Sequence, residues 1–486
     1  MLNSDGASAG ANPARENSRS AARRKKKTAD LQSRQIKASR VGEAMRASAI
    51  AVFFILLVAA GFAAYYFVDT SGPAFTLSRQ PGPISSKVDI GLRLRDTGSG
   101  LKSVSIILLH GGKSIPILSK EYPADTTDAS ESFRLPQQPG LKEGAVKLRI
   151  VATDRAVMRF GSGNSTEQSF DFVLQNKPPA VAVISTAHNM SRGGCGLVVY
   201  TVNREVVKTG VVFGDRFFPG YLQPGGFYAC LFPFPYDMSE ERFIPKVLAV
   251  DQAGNDRLTG IYFRILAKSF PNDRIELSDA FLEKVNAEFK DRFPQAATPL
   301  EVFLKVNREV RQSDSKILYD RGLKTSSTPL WEGNFLRLPN SAPRGTFNQL
   351  RSYFYKGKQV DQQSHLGIDL ASLSHAGVPA ANRGKVVYAD DLGIYGQCVI
   401  IDHGLGLQTL YGHLSRIGVK EGDEVKKGDI IGDTGDTGLA GGDHLHFGVV
   451  VSGEEVNPIE WWDPSWIKNN VTDKLEEGKL AGRARQ

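Results

Sequence analysis

Two histidines stand one residue apart in the stretch GGDHLHFGVV, at His444 and His446, in a chain of 486 residues that has only eight. Strand side chains alternate, which puts His444, His446 and Gly448 on one face and Leu445, Phe447 and Val449 on the other. On an exposed edge this would be a solvated pair. The remaining histidines argue for more, because His365, His375, His403, His413, His444 and His446 all lie between positions 365 and 446. The first of these sits in SHLGIDLAS, where His365 and Asp369 are four residues apart on a segment that reads as a loop entering a strand. An imidazole and a carboxylate, joined by a second imidazole from another strand, make the three-ligand set of a catalytic zinc site. Such a site leaves a fourth position to water, whereas four protein ligands would make a structural brace.

The element that must position these residues is Gly-rich and strand-like: GKVVYAD, QCVIIDHG, LQTLYGHLS, DIIGDTGDTG and HLHFGVVVSG follow one another from about residue 341. Short strands with Gly at nearly every turn predict a compact β-sandwich or barrel over 341–465. Upstream, runs such as KVDIGLRLRD, SVSIILLH and VKLRIVATD predict a β domain over 69–177. A second β domain follows over 178–270. The ends of the two blocks echo each other, LRIVATDRAVMRFG against VLAVDQAGNDRLTG, and both resemble bacterial immunoglobulin-like modules. Between 271 and 340 the period lengthens. Leu277, Phe281, Val285 and Phe289 recur every four residues, and Thr298-Pro299-Leu300-Glu301 reads as a capping box with Pro at the first helical position. Two helices are expected there, as spacer, lid or docking surface. The tail 466–486 is polar and is expected to be frayed or weakly helical. The fold class is therefore mainly β and multidomain.

The net charge of +8 is concentrated at the front, where residues 1–46 carry eleven Lys or Arg against four Asp or Glu. This arm, with RRKKK at 23–27, lacks the apolar residues for a core and is expected to be disordered. It is followed by ASAIAVFFILLVAAGFAAYYFV, residues 47–68, without a charge. As a helix this run would span about 33 Å, enough for a bilayer core. The span turns the reading of the basic arm from a nucleic-acid tail to a cytoplasmic flank, with no nucleic-acid partner expected and everything after about Asp69 exported. A cleavable signal peptide is disfavoured by the length of the charged and apolar regions. The expected location is a single-pass protein of the bacterial inner membrane with its C-terminal domains in the periplasm. Cys195 and Cys230 fall in one exported domain and are candidates for a disulfide, with two buried thiols as the alternative; Cys398, in QCVIIDH, reads as a core thiol.

Taken in order, HLGID, YGHLS and HLHFG, with GKVVYA, IGVKEGDEVKKGDIIGDTGDTG and VNPIEWW, resemble the lysostaphin-type, or LytM-like, zinc endopeptidases of peptidoglycan, over about Thr346 to Trp462. The resemblance implies that His365, Asp369 and His446 are zinc ligands and that His413 and His444 are the catalytic histidines. It also implies one Zn²⁺ per domain and, as substrate, the cross-link or stem peptides of the wall. The rival is a non-catalytic LytM-like module that binds wall peptides and activates a separate amidase; the full set of five residues argues against it. A lipoyl-type carrier, suggested by GDEVKKGD, leaves the histidines unexplained. Many members of the family carry an acidic residue after HLHF where this chain has Gly448, a difference expected to widen the cleft. His403 reads as a turn or supporting residue, while His375, His110 and His188 read as incidental. Tyr353, Tyr355, Tyr395 and Tyr411 are candidates to line the cleft.

Overall fold

The computed structural model describes residues 45–63, 69–137, 141–156 and 162–483, together with Thr28 and Gly42. The chain is mostly β, 44% strand against 21% helix, as the alternating runs predict. It divides into two compact units, 1–82 with 88–173 and 83–87 with 174–486. In the first unit one helix, Met45–Ala63, is long and apolar enough to cross a membrane by length and composition, and its side chains are exposed. Most of the basic arm, and Tyr65 and Tyr66 at the end of the expected span, lie outside the described residues.

The strands of the first unit follow the period of two. Ile90, Leu92 and Leu94 are buried while Arg93 and Arg95 point to solvent, and Val104, Ile106 and Leu108 alternate in the same way. Ile90–Arg95 pairs with Ala74–Leu77 and Asp128–Phe133, and Leu101–His110 with Lys113–Glu121 and Gly144–Asp154. The repeat seen in the sequence has a physical counterpart. Asp154 accepts from the backbone and side chain of Asn164 (2.6 and 2.9 Å), and Asp251 accepts from those of Asn255 (2.8 and 3.2 Å). In each copy a buried carboxylate at the end of a core strand holds a downstream asparagine by both its backbone and its side chain.

The second unit opens with two four-stranded sheets, one centred on Cys195–Val202 and Phe227–Pro233 and the other on Val206–Phe213 and Lys246–Asp251. Between them lie Val198, Tyr200, Val211, Phe213, Phe232, Phe243 and Val247. The disulfide does not form: Cys195, Cys230 and Cys398 are all free and buried. Register explains it, since Cys195 is opposite Pro233 and Cys230 is opposite Val198. An offset of three positions sends the two thiols to opposite faces and roughly 10 Å apart along the strands, beyond disulfide reach. Cys230 faces the sandwich core, whereas Cys195 joins Leu197, Val199, Ala229 and Leu231 in a cluster shared with the C-terminal domain.

Of the frayed or weakly helical tail expected, the structure has the helix, and it is packed against the sandwich. Pro464–Ile467 leads through a wide turn into the helix Asp473–Arg483, whose Lys474, Gly478 and Gly482 are buried at intervals of four. A Cβ on Gly478 would stand 2.6 Å from the Phe227 ring, so the missing side chain is what lets the helix approach the sheet. Composition hides this contact because the buried stripe is made of Gly and Lys rather than Leu.

The helical segment consists of α1 (Asp279–Phe289), α2 (Pro299–Lys305) and α3 (Arg311–Gly322), with a five-residue π turn, Val306–Val310, joining the last two. Ser278 caps α1 and Thr298 caps α2, while the Glu301 carboxylate reaches back to the Ala297 N–H at 2.7 Å, close to the expected capping box. The buried face of α1 is Leu282, Val285 and Phe289, and Phe281 is only partly covered. These helices are not a free spacer. Phe303 meets Tyr353 edge-on at 5.3 Å, and the helices share a core with Leu392, Ile394 and Tyr395 of the C-terminal domain.

That domain is built on β1 (Ala342–Gly345), β2 (Gln349–Tyr355), β3 (Lys358–His365), β4 (Ile368–Ala371), β5 (Gly384–Asp391), β6 (Gln397–Gly404), β7 (Leu407–Ile417) and β8 (Leu445–Val451). The main sheet runs β1-β4-β8-β7-β6-β5, with β2 and β3 forming a hairpin beside it. Trp461 closes its far side, fully buried against Trp331 and Phe335.

Lys474 supplies a test of the tail contact. It is 2% exposed, donates to the Leu197 carbonyl at 3.3 Å, and burial pulls its pKa down to about 8. A folded value below the unfolded one means that the charged form opposes folding at neutral pH, fully below about 8 and not at all above about 10.5. Lys474→Met is therefore expected to raise the urea midpoint at pH 7, by the equivalent of about 1–3 kcal/mol, with a gain that shrinks as pH rises from 8 towards 10.5. A gain independent of pH would mean that packing, not charge burial, is responsible.

Candidate metal centre

Asp369 and His446 are direct partners across the antiparallel β4–β8 ladder, with His446 opposite Gly412 of β7 on its other side. Opposed residues in such a ladder have their Cβ atoms about 5 Å apart, so the register alone brings carboxylate and imidazole together. His365 ends β3, and the Leu366-Gly367 step returns the chain into β4, bringing His365 over Asp369. The His365 Nε2, Asp369 Oδ1 and His446 Nδ1 atoms form a triangle with sides of 2.9, 3.0 and 3.0 Å. Among the described residues only one other group of His, Cys, Asp or Glu is so tightly drawn together, and it is made of carboxylates alone, Asp69, Asp96 and Asp154.

The chemistry of the triangle fits a divalent cation. His365 Nδ1 faces the Thr346 carbonyl at 3.0 Å and so carries the proton, leaving Nε2 as a lone pair. That lone pair points at a carboxylate oxygen and a second imidazole nitrogen. A cation turns this repulsion into bonds, and ligands at about 2.0–2.1 Å from a common centre are spaced much as these three are. The His446 Nε2 is buried without a hydrogen-bond partner, another sign that this ring is placed for its Nδ1. Gly367 makes room for it, since a Cβ there would stand 2.4 Å from His446 Nε2. Arg351, on β2, donates to Asp369 Oδ2 at 2.7 Å, leaving Oδ1 turned to the centre. Gly345 leaves space for that pair, where a Cβ would meet the guanidinium at 2.3 Å and the carboxylate at 2.5 Å.

His413 and His444 stand beside the triangle, with ring centroids 4.8 Å apart and His413 5.7 Å from His446. His413 lies in a bulge, where β7 spends three steps between Tyr411 and Leu414 against two on β6, and its φ is +61°. This left-handed conformation is unusual for a side chain with a Cβ, and it re-aims the imidazole inward. Both rings use Nδ1 on backbone oxygens, His413 on Thr437 at 2.8 Å and His444 on Gly442 at 2.7 Å. Helix α1 grips the loop that carries Thr437: Lys284 donates to Asp436 Oδ2 at 2.8 Å, and Glu288 accepts from Gly438 N at 2.6 Å. His444 Nε2 is 3.5 Å from Asp369 Oδ1.

Electrostatics separates the groups. Burial pushes the Asp369 carboxyl up, but the imidazoles of His365, His444 and His446 around it outweigh this and hold the group well below the carboxylate range. Burial pulls His446 down to about 4. Burial also depresses His413, helped by the neighbouring His444 and His446. For His444 burial acts downward too, yet the hydrogen bond and charge of Asp369 prevail and raise its pKa. At neutral pH the triangle thus offers an ionised carboxylate and a neutral His446, both ready to ligate.

All five residues line one cavity of about 130 Å³, which Tyr353, Tyr395, Arg351 and Arg311 also face. Tyr395 lies 5.3 Å from His446. Tyr411 is elsewhere, its hydroxyl accepting from Ala381 N at 2.7 Å inside the core, and Tyr355 donates to Asp279 on α1. Gly448 does not widen the cleft: it is outside the lining and backs onto Leu410, its partner on β7. His403 is fully buried between the Arg383 carbonyl and Thr409 Oγ1, while His375 is an exposed turn residue. His188 is buried on Ser185 and the Tyr262 carbonyl. Arg351 and Arg311 are absent from the sequence reading. LRSYFY and NREVRQ are ordinary strand and helix text, and only the register of β2 and the turn before α3 bring the two guanidinium groups here.

Residues 363–458 match the family model described as Peptidase family M23. The DD-carboxypeptidase/endopeptidase Mpg of Neisseria meningitidis serogroup B is 40% identical over 95 residues, 20% of this chain and 22% of that protein. The peptidoglycan DD-endopeptidase ShyA of Vibrio cholerae serotype O1 is 38% identical over 96 residues, 20% of this chain and 22% of that one. The chain thus covers about a fifth of the length of these curated relatives. Among solved structures, the catalytic domain of lysostaphin from Staphylococcus simulans is 28% identical, covering 27% of this chain and 98% of its own, with a TM-score of 0.24. At its C-terminal end the chain carries a LytM-like domain of peptidase family M23.

Proposed function

We propose that the protein is a membrane-anchored, zinc-dependent endopeptidase that hydrolyses peptide bonds in the cross-links or stem peptides of peptidoglycan. The observation that carries this reading is the triangle of His365, Asp369 and His446, with two further imidazoles on the same cavity. The relative named as a peptidoglycan DD-endopeptidase supports the substrate class, and the one named as a DD-carboxypeptidase/endopeptidase supports the reaction. The apolar helix Met45–Ala63, preceded by a cationic arm, supports anchoring with the M23 domain on the exported side.

His365, Asp369 and His446 would hold the zinc, Arg351 fixing the carboxylate and Thr346 the tautomer of His365. Bound Zn²⁺ supplies an acidified water near neutral pH and polarises the scissile carbonyl. His413, neutral and with its proton on Nδ1, takes the proton of the attacking water at Nε2. His444, whose proton is retained more strongly beside Asp369, donates from Nε2 to the developing oxyanion and then to the leaving amine. Two titratable groups pushed in opposite directions are what an acid–base pair requires. Tyr353 and Tyr395 wall the cleft and keep bulk water from the reacting atoms.

Three outcomes are expected. Full-length protein in detergent digests purified peptidoglycan and releases new peptide termini detectable by mass analysis; chelation stops the reaction and zinc restores it. Intact sacculi after prolonged incubation with zinc-loaded protein would refute the assignment. His413→Ala and His444→Ala each lower kcat by about 10²–10⁴-fold while keeping one zinc per chain, whereas His365→Ala, Asp369→Ala and His446→Ala lose the metal, as read by elemental analysis. Gly345→Ala displaces Arg351 from Asp369 and weakens zinc binding by about 10–100-fold in a chelator competition. Unchanged affinity in that variant would remove Arg351 from the set of orienting residues.

A further inference from the structure

The cavity lining holds one carboxylate, Asp369, and two guanidinium groups, Arg351 and Arg311. Asp369 is already paired with Arg351 at 2.7 Å. With Asp369 taken, the Arg311 guanidinium has no carboxylate partner on the cavity lining, and among the described residues it makes no ion pair. Glu455 and Asp314 feel its field without reaching ion-pair distance. Arg311 lies outside the matched M23 region, on the first turn of α3. It is held in place: Nε donates to the Asn307 carbonyl at 3.2 Å and Nη2 to Asn307 Oδ1 at 2.7 Å. Asn307 is fully buried and in turn donates to Asp361 Oδ2 at 3.0 Å. The π turn over Val306–Val310 sets this arrangement, and such turns often occur where a side chain must be presented. The remaining face of a pre-oriented guanidinium suits a planar carboxylate.

We propose that Arg311 binds a free carboxylate on the substrate residue whose amine leaves, so that the cleft selects peptides with an acidic group one residue past the cut bond. This rests on the endopeptidase reading above and adds a specificity residue supplied by the helical segment. A cavity of about 130 Å³ leaves room for little more than that one residue, which places its α-carboxylate within the reach of a residue on the cavity wall.

The test uses the zinc-loaded full chain in detergent and two stem-type pentapeptides ending in D-Ala-D-Ala, one as the free acid and one as the C-terminal amide. Binding is measured by calorimetry, and cleavage by release of the terminal residue. The wild type is expected to bind the acid about 10- to 100-fold more tightly than the amide. Arg311→Gln raises the acid's Kd and KM to those of the amide, and Arg311→Lys restores part of the preference. A wild type that binds both peptides equally, or binds neither, overturns the proposal, as does an Arg311→Gln chain that keeps the preference or weakens both peptides in parallel. Preferential binding lost in Arg311→Gln upholds the proposal whether or not the terminal residue is released; failure of the endopeptidase reading shows separately, as intact sacculi.

Discussion

Asp369 and His446 oppose each other in an antiparallel ladder in which β8 is buried along its whole length and β7 along most of it, so the register cannot slip without turning apolar faces outward. A shift of one residue in either strand would carry its side chain to the opposite face, away from the other. Every other feature of the centre refers to this pair. Arg351 binds the oxygen of Asp369 that faces away, Thr346 fixes the tautomer that aims His365 at the near oxygen, and Gly345 and Gly367 give up side chains so that neither ring nor guanidinium is displaced. The M23 domain spends much of its glycine on clearance around the site and on tight hairpins rather than on flexibility.

That these five residues would converge was legible because they sit in a chain poor in histidine, at spacings that match strand alternation, and in an order that a known family shares. The β-rich fold was legible from alternation, and the helices from Ser278, Thr298 and Glu301 at their starts. The details that escaped were those that depend on three-dimensional register. The offset of three positions that keeps Cys195 and Cys230 apart leaves no trace in composition. The packed tail helix was hidden by a buried face of Lys474, Gly478 and Gly482, which reads as polar. Gly448 was placed correctly by parity, but a neighbouring strand, not the cleft, lies over it.

The helical segment also takes a part that its sequence did not disclose. Helix α1 holds the loop whose Thr437 carbonyl orients His413, and α3 anchors the Ile394 backbone through Asp314 at 2.8 Å, fixing the turn that carries Tyr395. The walls of the cleft thus come from two regions of sequence, only one of which lies within the matched family segment. Local irregularities concentrate at the same place: the left-handed backbone of His413, the bulge in β7 and the π turn ahead of Arg311. Each departs from ideal geometry in a way that aims one side chain into the cavity.

The second sandwich and the M23 domain meet through a continuous apolar cluster, in which Leu197, Val199 and Leu231 lie with Phe347, Phe447 and Trp461, and the tail helix lies across the sandwich side of that cluster. Surface of this kind behaves as the interior of a single folding body rather than as a hinge between modules. Evolutionary shuffling of the peptidase segment on its own would strand this oily seam in water. A segment cut down to the M23 domain would need polar residues in place of Phe347, Phe447 and Trp461 wherever the sandwich and terminal helix no longer covered them.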